Sequence, residues 1–328
     1  MQILKLAGRR LMSSVPTLLI LLAGLFVLLQ FAPGDTVDAL MAQMGGGDAA
    51  TAAELRRFYG LEGSTAARLL EYMWRLIRLD LGFSAVYNKP VAVVILERLP
   101  ATLLLMVSAL SFAFFGGMLL GIVSAQRVNG WADTLISFLG LIFYATPSFW
   151  LGLMSIVVFS IWLAWLPPGG LYEIGSGRTG ILLVFDIARH LVQPTLTLAL
   201  IFLAIYLRIM RASMLEVSSL DFVRTARAKG LRQREIVRRH VLRNALLPMV
   251  TLVGLQAGTM LGGSVVVESV FSLPGIGRLA YDSVIQRDLN TLLGIVFVSA
   301  LMVIFVNFVV DLVYARLDPR ITAGGKES

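Results

Sequence analysis

The chain has 328 residues, 57% of them hydrophobic and 15% charged, with a mean hydropathy of +0.82 and no cysteine. A soluble chain carries about 25% charge and about 45–50% apolar residues, so the excess reads as lipid-facing surface, and disorder, a collagen-like repeat and a disulfide scaffold are excluded. The net charge of +8 raises nucleic acid as a partner, a question settled by where the basic residues lie.

A membrane-crossing helix needs about 20 apolar residues to cover about 30 Å of hydrocarbon. Uncharged runs at 11–31, 99–125, 134–165, 191–207, 245–267 and 291–310 predict six such helices and an all-α membrane protein. The first run follows Lys5, Arg9 and Arg10, is long enough to span and lacks a clear small-residue cleavage site. It is read as a retained helix rather than a signal peptide. The third run is overlong for one upright span and contains Pro147, which removes the bond to the Phe143 carbonyl, so a kink or a strong tilt is expected there.

Segment 208–243 holds ten Lys and Arg residues against Glu216, Asp221 and Glu235. The positive-inside rule makes it cytoplasmic, and six spans then place both termini in the cytoplasm. Segment 32–98 and loops 166–190 and 268–290 fall outside. The basic excess sits on one side of a membrane, so lipid and not nucleic acid is the expected partner. Residues 1–98 form a first span with a long extracytoplasmic segment, and 99–328 form a five-span core containing the cytoplasmic loop.

Within 32–98, Thr51 to Glu54 has capping-box spacing and predicts a short helix ending near Gly60. From Ser64 onward, Leu69, Leu70, Met73, Trp74 and Ile77 recur at helical spacing, with Arg68, Glu71, Arg75 and Arg78 between them. This predicts an amphipathic helix at the outer interface or packed on its own bundle, serving either as a cap or as a docking surface.

No phosphate-cradling G-x-x-x-x-G-K-[ST] occurs. The two histidines, His190 and His240, fall on opposite sides of the membrane, which leaves no metal cluster and no Ser–His dyad within it. The spans hold no carboxylate of the kind ion-coupled carriers need near the midplane; Glu268 and Asp311 sit at span ends. The chain reads as a passage without a catalytic centre, cofactor or metal of its own. An ion-coupled carrier and an intramembrane hydrolase are the alternatives these absences weigh against.

The cytoplasmic run Asp221, Phe222, Val223, Arg224, Thr225, Ala226, Arg227, Ala228, Lys229 and Gly230 reads as a short helix. Ser218 or Ser219 would cap it, Asp221 suits its first turn and Gly230 would stop it in the left-handed region. A second helix over 233–243 would run into the fifth span. Phe222, Val223 and Ala226 form a small apolar face with basic flanks. Two readings stand: a basic loop on anionic lipid, or a rod that inserts into a cleft of a soluble partner and carries force. On the second reading, Ala226→Asp uncouples the partner and spares insertion.

In the fifth span, Gly254, Gly258 and Gly262 form a stripe without side chains that lets another backbone approach closely, either sliding during gating or packing statically. Gly117 and Gly121 form a second, weaker pair. The outer loop Leu273, Pro274, Gly275, Ile276 and Gly277 is either a connector or a lid and docking surface at the outer mouth. Ser108, Ser111, Ser155, Gln256 and Asn307 either line a pathway or bond neighbouring helices.

Residues 223–231 with 240–248 resemble the coupling loop of ABC importer permeases, specifically the dipeptide, oligopeptide and nickel branch. Further signatures of that branch follow the same order as in the family: 79–82 with Ser84, 97–103, 146–150, 211–215, 268–278 and 317–321. The general coupling motif begins Glu-Ala-Ala, whereas Arg224, Thr225 and Ala226 stand here, a departure typical of the peptide branch. The resemblance implies a type I ABC importer permease fold in a bacterial inner membrane. It implies a second homologous permease, two cytoplasmic ATPases that use ATP and magnesium, and an extracytoplasmic solute-binding protein. The implied cargo is peptide, or alternatively nickel or another small solute.

Overall fold

The computed structural model describes residues 2–31, 34, 36–43, 46, 48–58 and 63–317. Gly60 and the signature residues 318–321 lie outside these. In chain order the helices are α1 (Gln2–Gln30), α2 (Thr36–Gln43), α3 (Ala49–Phe58) and α4 (Thr65–Ile77). A two-residue hairpin, β1 (Phe83–Ser84) and β2 (Lys89–Pro90), precedes α5 (Val91–Gln126), α6 (Trp131–Ala145) and α7 (Ser148–Ser155), which continues as a π-helical stretch, Ile156–Trp162. Then come α8 (Gly180–Ser218), α9 (Asp221–Ala228) and α10 (Gln233–Ile236), a second π-helical stretch (Val237–Val241), α11 (Leu242–Val270), α12 (Ile276–Ile285) and α13 (Leu289–Leu317).

Five of the six apolar runs each fall in one helix, and the third is divided between two. Among the described residues, four helices are long and apolar enough to cross a membrane: Val91–Gln126, Ile181–Ser218, Gln233–Val270 and Leu289–Val313. The third run bends at Pro147, where a kink was expected, but by 102°, so that two helices meet at residues 146–147. Pro147 has no N–H to give, and Thr146 before it takes an extended conformation (φ −86°, ψ 129°), the geometry that a following proline favours. Pro100, Pro194 and Pro248 are absorbed inside unbroken helices. A proline in this chain therefore ends a helix only where the preceding residue has left helical geometry.

The chain forms two packed units, Met1–Thr102 with Pro274–Phe305, and Leu103–Leu273 with Val306–Ser328. Residues 274–305 thus pack with the first segment. In the first unit, Leu22, Leu76 and Phe297 make one cluster, and Val91, Val94, Ile95, Ile276, Leu279 and Ile295 another. Ser64 caps α4 by accepting from the Ala67 N–H. Tyr72 stacks on Phe26 of α1 at 5.7 Å, and burial pushes its hydroxyl up to about 12. Buried Asp288 caps α13, accepting from the Thr291 N–H at 3.2 Å, from Thr291 Oγ1 at 2.7 Å and from Ser84 Oγ. Thr102 Oγ1 accepts from the Ile276 N–H at 2.8 Å and so fixes the start of α12. The capping box at Thr51 is corrected: Asp48 Oδ1 accepts from the Thr51 N–H at 2.9 Å, so the cap lies three residues earlier.

Candidate functional site

Segment 208–243 begins on the end of α8, an unbroken helix of 39 residues. Gly230, with φ +76°, takes the left-handed conformation expected of it. Neither serine caps α9: Leu220 holds the N-cap position, and Ser219 Oγ donates back to the Glu216 carbonyl at 2.7 Å. The apolar face is divided. Val223 and Ala226 are buried (0% and 5% exposed), whereas Phe222 is 42% exposed and Leu220 is exposed beside it. Ala226 is therefore part of what holds α9 to its own chain, and an aspartate there would place a charge in that packing. The apolar surface left for a partner is Phe222 with Leu220, surrounded by the exposed Arg224, Arg227 and Lys229.

Beyond Gly230 the helix 233–243 forms, but through π geometry. The Leu242 N–H bonds the Val237 carbonyl, five residues back, and α11 continues without a break. Such single π turns insert one residue into a helix and are frequent at working sites.

Ten residues before α9, Arg211 is clamped to α6. Its Nε and Nη2 donate to the two oxygens of Asp133, both at 2.8 Å. Ser124 Oγ also donates to this carboxylate, as does the Asn129 N–H at 3.0 Å. A bidentate arginine fork is the strongest pairing a carboxylate makes, and Asp133 is almost fully buried. Sequence reasoning missed it because the apolar run was begun at Thr134, one residue past Asp133.

The other end of α8 is tied down as well. Gln193 Nε2 donates to Ser160 Oγ at 2.7 Å and to the Pro167 carbonyl at 2.9 Å, and Arg189 donates to the Trp165 carbonyl at 2.7 Å. Buried Asp186 accepts from the Glu173 N–H at 2.8 Å and from Arg178 at 2.7 Å, while His190 Nδ1 lies 2.8 Å from the Asp186 carbonyl. The bent α6–α7 element is thus stapled to α8 at Asp133 and again at Ser160. Between the staples, Gly152 lets α7 approach α8 and α11, since a Cβ there would lie 3.1 Å from Val270 and 3.5 Å from Thr197.

The glycine stripes reverse their expected rank. Gly117 and Gly121 of α5 press on the α8 backbone: an added Cβ would come within 2.9 Å of the Leu203 and Leu207 carbonyls respectively, and within 2.6 Å of the Tyr206 and Met210 Cβ atoms. In α11, Gly254 is buried against Asn307, whose Oδ1 would lie 2.6 Å from an added Cβ; Gly258 and Gly262 are exposed, and a Cβ at 262 would meet nothing within 4 Å. Ser108 Oγ shares a 2.8 Å bond with Thr195 Oγ1 across α5 and α8, and Ser155 and Gln256 bond within their own helices. Ser111 lines an apolar groove between α5, α11 and α13. The loop at 273–277 is mostly interior: Leu273, Gly275, Ile276 and Gly277 are buried and Pro274 half-buried. Phe271, just before it, is held by the Gly170 N–H, which donates to its carbonyl at 2.8 Å; a side chain at Gly169 would run into the same carbonyl.

Among the described residues no group of three or more His, Cys, Asp or Glu is arranged to hold a metal ion. The family of binding-protein-dependent transport system inner membrane components matches residues 117–323. The oligopeptide transport system permease protein AppB of Bacillus subtilis is 37% identical over 317 residues, 95% of this chain and 98% of that protein. The glutathione transport system permease protein GsiC of Pectobacterium atrosepticum is 38% identical over 313 residues, 95% and 97% of the two chains. The fold is similar to a chain of the MetNI methionine ABC transporter in an inward-facing conformation, with a TM-score of 0.56 at 18% identity over 70% of this chain and 98% of that one.

Proposed function

The chain belongs to the family of binding-protein-dependent transport system inner membrane components, and on that premise we propose that it forms half of the passage of an ATP-driven peptide importer. A second permease of the same kind supplies the other half. Two cytoplasmic ATPases bind and hydrolyse ATP with magnesium, and an extracytoplasmic solute-binding protein delivers cargo. Six spans leave both termini in the cytoplasm. Peptide cargo is favoured because the similar permeases are named for an oligopeptide and for glutathione, itself a tripeptide.

The observation that carries this reading is α9. Its buried Val223 and Ala226 fix it to the chain while Phe222 is presented outward, at the end of a helix clamped to α6 through Arg211 and Asp133. Closure of the ATPases pushes α9, and α8 with the bent element must follow. The passage then alternates between inward- and outward-facing arrangements.

The test uses the assembled transporter in proteoliposomes with ATP inside, reading peptide uptake and ATP hydrolysis together. Phe222→Asp changes an exposed residue, so stability is expected to stay within about 0.5 kcal/mol while hydrolysis separates from uptake. Ala226→Asp, in contrast, is expected to lower the yield of folded chain. Uptake by the wild-type assembly driven by a sodium or proton gradient without ATP would overturn the assignment.

A further inference from the structure

Helix α4 carries two apolar stripes, and among the described residues only one is packed against the chain. Tyr72, Met73 and Leu76 pack with Leu18 and Leu22 of α1 and with Phe297. The second stripe, Leu70, Trp74 and Ile77, recurs at spacings of four and three and so occupies one face. It is 72%, 56% and 69% exposed, and the exposed Leu79 extends it past the end of the helix.

The charged residues of α4 lie on a separate, partly exposed flank. Arg68 donates to Gln30 Oε1 at 3.0 Å and Arg75 to Glu71 Oε1 at 2.5 Å. Arg68, Glu71, Arg75, Asp80 and Asn290 surround a cavity of about 40 Å³ between α4 and its neighbours. Arg78 remains outside, with its guanidinium 4.7 Å from the centre of the Trp74 ring. Leucine, isoleucine and tryptophan side by side on an exposed face are unlike a water-facing surface. Tryptophan and arginine at the margin of such a face are the side chains that favour a bilayer interface.

The pairing with α1 names the occupant. Arg68 lies against Gln30, Tyr72 against Phe26 and Leu76 against Leu22, so α4 runs antiparallel beside the apolar part of α1 for about 12 Å. Ile20 and Leu28 of α1 are themselves exposed. On the topology proposed above these two residues meet lipid, and α4 lies along the same stretch of α1.

We propose that the Leu70–Trp74–Ile77–Leu79 face is a lipid contact, seated at the boundary between headgroups and acyl chains of the outer leaflet and anchoring the first unit to it. This rests on the topology proposed above.

The native chain has no cysteine, so single nitroxide labels can be placed at Leu70→Cys and Ile77→Cys in the assembled transporter, in nanodiscs of phosphatidylethanolamine and phosphatidylglycerol. Ile20→Cys on α1 serves as the lipid reference and Glu54→Cys on α3 as the aqueous one. Collision rates with oxygen, which partitions into lipid, and with a water-soluble nickel chelate are compared. Labels at 70 and 77 should favour oxygen severalfold more than the label at 54 and should resemble the label at 20. A preference for nickel at 70 and 77, with the label at 20 still in lipid, overturns the anchor and leaves the topology standing. Protection from both reagents at 70 and 77 shows a protein partner on this face and also overturns it. A label at 20 that favours nickel removes the topology and the anchor together.

Discussion

Two pairs of glycines in this protein have the same spacing and opposite fates. Gly117 and Gly121 are closed against the backbone of α8, while Gly258 and Gly262 lie open on α11. Spacing alone ranked them the other way, because three glycines make a longer stripe than two. A row without side chains marks where a backbone can come close, and the partner decides whether it does. For α8 the partners are present: α5 through its glycines and α6 through Asp133. The open face of α11 offers the same invitation to something beyond this chain.

The contrast is sharpest at the clamp. Arg211→Ala strands the Asp133 carboxylate in a buried position, and removing one member of a buried pair costs about 3–5 kcal/mol. A steep fall in thermal stability of the detergent-solubilised chain is expected. Next, Gly121→Val forces atoms into the backbone of α8, and overpacking costs about 1–3 kcal/mol. The same measurement should show a smaller but clear loss. At the open end, Gly262→Leu should leave stability within about 0.5 kcal/mol, and ATP-driven uptake by the assembled transporter should drop if the stripe meets a partner helix. A destabilisation by Gly262→Leu equal to that of Gly121→Val would erase the distinction between closed and open stripes.

Local grammar carried the sequence reading a long way. The apolar runs predicted helices and Gly230 predicted its own left-handed turn, since each is decided within a few residues. What escaped was decided at long range. Asp133 and Arg211 are 78 residues apart, and nothing in either neighbourhood names the other. Helix α8 begins at Gly180, eleven residues before the uncharged run. Asp186, Arg189 and His190 look like loop residues until the Glu173 N–H, Arg178 and the Trp165 carbonyl are seen to satisfy them. The face of α9 divides for a related reason: Phe222, Val223 and Ala226 are equally apolar on paper, and only the fold decides which of them it keeps.

The unbroken length of α8 has a mechanical consequence. Thirty-nine residues at 1.5 Å each make a strut of about 58 Å, nearly twice the hydrocarbon thickness. With no joint along it, a pivot of about 5° near its midpoint swings each tip by about 2.5 Å in opposite directions. A small nudge at the α9 end would thus arrive at the opposite end with its sense inverted and its amplitude intact.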